Sequence, residues 1–274
     1  ALVWTNPSGP AALKEILDGS NIRWVQLPLA GLEKFFEAGV IDPARTWTCA
    51  KRIYGYACAE HALGLMLAAA RRVHVHVKET SWQPSGFGSA HRMIKGATVL
   101  IVGTGGIGSW VAKLLQPFDV RILAVNRSGT PLEGAERTEP TSALVGLIYE
   151  ADFVVVAAAL TDETLRLFDR KMLELMKPEA WLVNVARGGL VHTDDLVTAL
   201  KNGTIAGAAL DVTDPEPLPE DHELWSLDNA IITPHVANTI SMSLPELTDL
   251  VRRNVKKFAA GEELESLVYP ELGY

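Results

Sequence analysis

Beyond residue 97 the chain alternates two hydrophobic patterns. One is a short run with nearly every position apolar, as in TVLIV at 98–102 and FVVVA at 153–157; the other is a longer stretch in which apolar residues return every three or four positions. The first pattern also occupies 121–126, 181–185, 206–212 and 230–233 and predicts strands, while the second predicts helices at 107–115, 141–149, 163–176 and 194–200. Strands that are apolar on both faces need cover on both. Their alternation with helices therefore predicts a parallel sheet between two helical layers, the doubly wound α/β arrangement.

The remaining pattern is less regular. Short strands are expected at 2–5 and 22–27, and a helix at 10–17 opened by Ser8 and Pro10 and closed by Gly19. Residues 57–72, rich in Ala and Leu, are apolar on several faces and predict a helix buried between layers. A second long helix is expected at 244–260, ending in Gly261, with a strand-like scrap at 266–269. Gly, Ser and Pro within 78–95 (KETSWQPSGFGSAHRMIK) predict an extended arm.

Composition narrows the function classes. With 274 residues, 48% hydrophobic and 21% charged, the chain can bury cores for roughly two domains and is no disordered tail. Lys and Arg number 25 against 33 Asp and Glu, a net charge of -8, which argues against a nucleic-acid partner because such binding depends on cations displacing counterions. Cys49 and Cys58 make neither a disulfide framework nor a zinc set, so a reducing, cytoplasmic setting is expected. Apolar runs such as 62–70 and 153–160 fall well short of the roughly 20 residues of a membrane span, so no membrane partner is expected. The start, Ala1-Leu2-Val3-Trp4, has neither Met nor a charged leader and suggests a processed or incomplete N-terminus.

The strand at 98–102 runs into Gly103-Thr-Gly105-Gly106-Ile107-Gly108, a G-x-G-x-x-G turn that opens a helix. Gly103 permits the tight turn, Gly105 lets a pyrophosphate approach the backbone, and Gly108 lets helix and strand pack closely; Gly106 and Ile107 begin the helix whose free N–H groups face the anion. This context predicts dinucleotide binding. At the end of the next strand, NAD sites carry an acidic residue for the ribose hydroxyls, whereas this chain has Asn126-Arg127-Ser128. An acid about 4 Å from a 2′-phosphate would repel it by ~1–4 kcal/mol. Asn126 removes that repulsion and Arg127 offers a fork of donors, so NADP(H) is expected over NAD(H), which stays open; the bland alternative is a solvated loop Arg.

Three further segments, NVARGGLV at 184–191, LDVTDPEPLP at 210–219 and TPHVANT at 233–239, together with the glycine turn, resemble the D-isomer-specific 2-hydroxyacid dehydrogenase family. The likeness extends from the AGLEKF loop at 30–35 through CAEHALGLML to the last helix. It implies a doubly wound parallel-sheet (Rossmann) nucleotide domain inserted in a smaller flavodoxin-like α/β substrate domain, with helices 57–72 and 244–260 as crossovers. The domains expected are 1–72, 73–243 and a return at 244–274, and relatives usually begin with one more strand and helix. A homodimer through the nucleotide domain and closure of the cleft between the domains are also implied.

Residue by residue, the resemblance matches Arg187 to the Arg that clamps the substrate carboxylate and carbonyl, His235 to the proton donor and Glu216 to its acid partner. The chemistry agrees. Reducing a 2-keto acid needs a cation for the carboxylate, which the planar, permanently charged Arg supplies, and a proton for the developing alkoxide, which suits a His whose carboxylate partner favours its protonated form. Asp211 matches the residue that holds the nicotinamide carboxamide. Ala159, Thr161 and Ala186 match other cofactor contacts, with Ala159 standing where relatives often carry Pro. Ala30 and Gly31 match the loop whose N–H groups bind the substrate carboxylate; the bland alternative for them is a tight turn.

The activity implied is hydride transfer between NAD(P)H and a small 2-keto acid, with glyoxylate and hydroxypyruvate the leading substrates. Alternatives are a phosphoglycerate dehydrogenase-like enzyme and a dinucleotide-sensing corepressor-type scaffold. Formate dehydrogenases of the family carry Gln at the position of Glu216, which argues against that activity. Arg52 replaces a Gly of many relatives and is expected on the surface. His74 and His76, two histidines without a third ligand, are read as structural rather than metal-binding, as are His61 and His192; Trp82 and Trp110 are read as core or subunit contacts.

Overall fold

The computed structural model describes residues 1–6, 9–82 and 91–270. The chain divides into two compact units, one made of residues 1–54 and 239–274 and the other of residues 55–238.

The first unit starts with β1 (Leu2–Val3), α1 (Pro10–Leu17), β2 (Trp24–Gln26), α2 (Glu33–Glu37) and β3 (Thr46–Thr48), whose strands pair in parallel in the order β1-β2-β3. Strand alternation divides its side chains between two faces. Val25 and Trp47 join Leu13, Leu17 and Phe35 of the two helices in one apolar cluster. Trp24 and Gln26 point the other way.

The second unit contains α3 (Gly55–Ala70), α4 (Val73–His76), β4 (Thr98–Val102), α5 (Gly106–Leu115), β5 (Arg121–Asn126), β6 (Arg137–Pro140), α6 (Val145–Ile148), β7 (Phe153–Val156), α7 (Arg170–Glu174), β8 (Trp181–Asn184), α8 (Thr193–Asn202), β9 (Gly207–Leu210) and β10 (Ala230–Ile232). Its seven strands form one parallel sheet ordered β10-β9-β8-β7-β4-β5-β6. The all-apolar runs divide by parity: Leu100, Val102, Val154, Val156 and Leu182 enter one core with α8, while Val99, Ile101, Phe153, Val155 and Val183 enter a second with α3 and α5. Both faces are covered, as the patterning requires. Strand order reverses between β4 and β7, the switch point at which ligands bind in such sheets.

The chain then returns to the first unit as α9 (Ile240–Ala260). Phe258 meets Trp24 with ring centroids 5.2 Å apart, and Asn254 Nδ2 donates to Gln26 Oε1 at 3.1 Å, so α9 covers the face opposite α1 and α2. Buried Gln26 also accepts from Thr48 Oγ1, which in turn accepts from Trp24 Nε1.

Several elements differ from the pattern. The expected helix at 163–176 contracts to α7, which Asp169 caps by accepting from Met172 N at 3.0 Å. Before it, Arg166 has φ +53° and pairs through its N–H with Gly189 O, which ends any helix there. Residues 141–149 split into a 3-10 turn, Thr141–Ala143, and α6. The scrap at 266–269 makes a single bridge, Leu267 to Thr48. Ser8, expected to open α1, lies outside the described residues, as do residues 83–90 of the arm and 271–274 of the tail.

The unit boundaries fall at 54/55 and 238/239 rather than at 72/73 and 243/244. Packing explains the first shift. A Cβ on Gly55 would lie 2.8 Å from Gly106 O, and Ala59, Ala62, Met66 and Ala69 share the core of the second unit, so α3 belongs to the nucleotide sheet. Arg52 is exposed, as expected, with φ +70°, a conformation that Gly adopts without strain.

Candidate active site

The seven parallel strands of the second unit deliver their carboxyl ends to one edge of the sheet, and the expected residues of that unit lie there. After β4, Gly103 has φ +99° and a Cβ on it would sit 2.6 Å from the backbone of Ala158, across the switch point. A Cβ on Gly108 would stand 2.0 Å from Gly103 O, so α5 packs onto the turn only with glycine there. Gly105 differs: nothing lies within 4 Å of its would-be Cβ, and it begins α5 with no side chain capping the helix. The first-turn amides of Gly106, Ile107 and Gly108 have no partner within the helix. An open approach to uncapped amides fits the pyrophosphate of a dinucleotide.

At the end of β5, Asn126 is built into its own loop. Its Nδ2 donates to Thr104 Oγ1 at 2.9 Å and Thr130 O at 2.7 Å, and its Oδ1 accepts from Ser128 N and Thr130 N at 3.1 Å each. Arg127 and Ser128 are exposed beside it, and Ser128 Oγ lies 2.6 Å from Thr130 Oγ1. After β7, Thr164 Oγ1 donates to Ala159 O at 2.7 Å and accepts from Thr161 N at 2.8 Å, fixing the loop that contains both expected contacts.

The turn after β8 is organised by Asn184, fully buried, which donates to Arg187 O at 2.9 Å and accepts from Ala186 N at 3.1 Å. The Arg187 guanidinium donates to Ala186 O at 2.8 Å. A Cβ on Gly188 would lie 1.9 Å from Thr213 O, so this turn and the one after β9 touch backbone to backbone.

His235 follows β10 with φ +52°, a conformation that costs a non-glycine residue about 1–3 kcal/mol and must be held by its surroundings. Asp211, 2% exposed, does the holding: its Oδ1 accepts from Thr233 Oγ1 at 2.6 Å and Val236 N at 2.9 Å, and its Oδ2 from Ala237 N at 2.9 Å. The His235 N–H donates to Asp211 O at 2.8 Å. On the ring, Nδ1 lies 2.7 Å from Glu216 Oε1, half-exposed on both sides. The structure thus pairs Glu216 with His235 and makes Asp211 the anchor of the loop. Ala30 and Gly31 lie in the first unit, after β2, where neither N–H pairs with another backbone group among the described residues.

Sequence reasoning missed Asn184 and Thr233 as organisers and read His61 as structural. His61, on α3, places Nε2 2.9 Å from Thr233 Oγ1 and 3.4 Å from Asp211 Oδ1. One turn earlier, burial pushes the Cys58 thiol up to about 11, a shift that Asp211 reinforces and Arg187 opposes. His74 is pushed below its ordinary value by burial, with both ring nitrogens near backbone carbonyls. His76 and His91 stack with Nε2 atoms 2.8 Å apart, and among the described residues no three His, Cys, Asp or Glu side chains form a metal set.

A glycine turn at the switch point of a parallel sheet, with an Arg and a His–Glu pair on the same edge, defines a nicotinamide-dinucleotide-dependent oxidoreductase. The sequence profile of the D-isomer specific 2-hydroxyacid dehydrogenase NAD binding domain matches residues 63–237, and the chain belongs to that family. It is 43% identical over 259 residues to the "uncharacterized protein in proB 3'region" of Corynebacterium melassecola, covering 93% of this chain and 84% of that one. It is 38% identical over 224 residues to a glyoxylate reductase of Pyrococcus furiosus, covering 79% of this chain and 66% of that enzyme. Among solved structures, a D-isomer specific 2-hydroxyacid dehydrogenase from Xanthobacter autotrophicus Py2, in complex with NADPH and MES, matches with TM-score 0.84 and 28% identity over 100% of this chain and 84% of that one.

Proposed function

We propose that this chain reduces glyoxylate and hydroxypyruvate to their 2-hydroxy acids, with NADPH preferred over NADH. The observation that carries the reading is the 2.7 Å contact of His235 Nδ1 with Glu216 Oε1 at the sheet edge that also bears the Arg187 turn. Similarity to a glyoxylate reductase supports the substrate class. When bound, the reduced nicotinamide supplies a hydride to the keto carbon. Arg187 binds the substrate carboxylate through its planar fork. His235 donates its Nδ1–H to Glu216, which orients the ring so that Nε2 delivers a proton to the alkoxide oxygen as the carbonyl is reduced. Arg127 and Ser128, on a loop fixed by Asn126, offer a cation and a hydroxyl to a 2′-phosphate, with no carboxylate at the strand end to repel it. Two free, buried thiols fit a cytoplasmic setting. A homodimer is supported by the exposed apolar side chains of Val73, Val77, Trp82 and Met93.

The test is a panel of 2-keto acids with NADPH and NADH, followed by coenzyme oxidation. Turnover of glyoxylate and hydroxypyruvate is expected, with higher kcat/KM for NADPH. His235→Ala and Arg187→Ala are each expected to lower kcat/KM by about 10²–10⁴-fold. Absence of turnover with every keto acid and both coenzymes overturns the reading, as do variants that match the wild type.

A further inference from the structure

We propose that His61 is a positioning residue for proton transfer, holding His235 in its working geometry through Thr233 and Asp211. The inference rests on His235 being the proton donor. All of the groups involved lie within the one unit of residues 55–238.

Hydrogen accounting gives the direction of the chain of bonds. Asp211, as a carboxylate, has no proton to give, so the 2.6 Å contact with Thr233 Oγ1 uses the hydroxyl hydrogen of Thr233. Thr233 Oγ1 is then an acceptor toward His61, and the 2.9 Å contact requires a hydrogen on His61 Nε2. His61 thereby orients the hydroxyl, the hydroxyl satisfies Asp211 Oδ1, and the same carboxylate gathers the N–H groups of Val236 and Ala237. The segment between these anchors is the one that carries His235 at φ +52°. A backbone kept in that region must be over-determined by its neighbours, and here it is held from both sides. The donor comes from α3, 172 residues earlier in the chain, and α3 is itself locked onto the glycine turn by Gly55 against Gly106. Dinucleotide cradle and proton donor therefore share one rigid support.

Electrostatics identifies what else bears on the pair. Asp211 faces His61 from the turn after β9, Cys58 lies one turn earlier on α3 and feels both Asp211 and Arg187, and Glu216 faces His235. Glu60, beside His61 on α3, is exposed. Were the imidazole of His61 charged, its removal would, by charge alone, ease protonation of His235 and move its titration up. Loosening its contact with Glu216 would move it down. The two mechanisms have opposite signs.

The test compares wild type, His61→Leu, His61→Gln and Thr233→Val. The titration of the His235 ring is followed by imidazole NMR in the coenzyme-free protein, and kcat, KM and pH profile are measured with glyoxylate and NADPH. We expect the His235 titration in His61→Leu and Thr233→Val to fall by roughly 0.5–1 unit, and the alkaline limb of reduction to move down with it. For His61→Leu, kcat is expected to fall about 5- to 30-fold with KM for glyoxylate changed less than about threefold, because acid geometry and not substrate binding is disturbed. His61→Gln, which retains an N–H donor of similar reach, is expected to recover most of the loss. The double variant His61→Leu/Thr233→Val should be no worse than the worse single one. An unshifted or raised His235 titration in folded His61→Leu overturns the proposal, as does additivity of the two substitutions. If His61→Leu fails to fold, His61→Gln and Thr233→Val decide through the same titration. The NMR measurement uses neither coenzyme nor substrate, so it stands even if glyoxylate turns out not to be reduced.

Discussion

Cys58 shows how closely the site edge is packed. Its thiol keeps its proton to about 11 in the folded chain against an ordinary value of 9.0. The folded state therefore binds that proton more tightly than the unfolded state does, and the resulting stability is fully present below pH 9 and lost as pH rises through 11. Wild type should lose up to roughly 3 kcal/mol across that window, and Cys58→Ala should lack this component; denaturant midpoints measured against pH check it. His74 has the opposite sense: with its folded value below 6.5, its contribution is present above 6.5 and lost as pH falls through the folded value. At this scale, the pairing of Glu216 with His235 and the turn that carries Arg187 were legible because these residues sit in the short motifs that carry the family resemblance. The hydrogen bonds of Asn184, Thr233 and His61 were not, since their partners are brought near only by the fold, up to 172 residues away.

Among elements, the all-apolar strands β4, β5 and β7 could be read to within a residue, because burial on both faces leaves no room for polar interruption. β6 (RTEP) escaped because it is an edge strand whose side chains are polar, with Arg137 and Arg121 both pairing with Glu150. The three-residue β3 was equally silent. The glycine turn yields a contrast between two neighbouring substitutions. Gly108→Ala drives a methyl group into Gly103 O and should cost about 1–3 kcal/mol together with coenzyme binding. Gly105→Ala, with φ near −71° and open space before it, should leave the melting temperature unchanged yet weaken NADPH binding, because the methyl group enters the approach to the helix amides. Thermal melts and fluorescence titration with NADPH separate the two.

For the whole molecule, the inserted arrangement followed from the family resemblance, whereas its borders did not. Whether α3 belongs to one unit or the other is decided by which surface its small residues meet, and the sequence carries no mark of that. Around the arm, Val77 is 72%, Trp82 100% and Met93 74% exposed, apolar side chains of the kind that a partner surface covers. Light scattering should give the mass of a dimer, and Trp82→Glu with Met93→Glu should shift it toward the monomer; a monomeric wild type would remove the basis for the proposed assembly. The insertion has one more consequence, for the order in which the protein is made. Residues 55–238 are complete as soon as they have left the ribosome, but Gln26 waits for Asn254, 228 residues downstream. Strands β1–β3, made before residues 55–238, thus acquire their second cover after them, because Trp24 and Gln26 gain Phe258 and Asn254 only when α9 emerges.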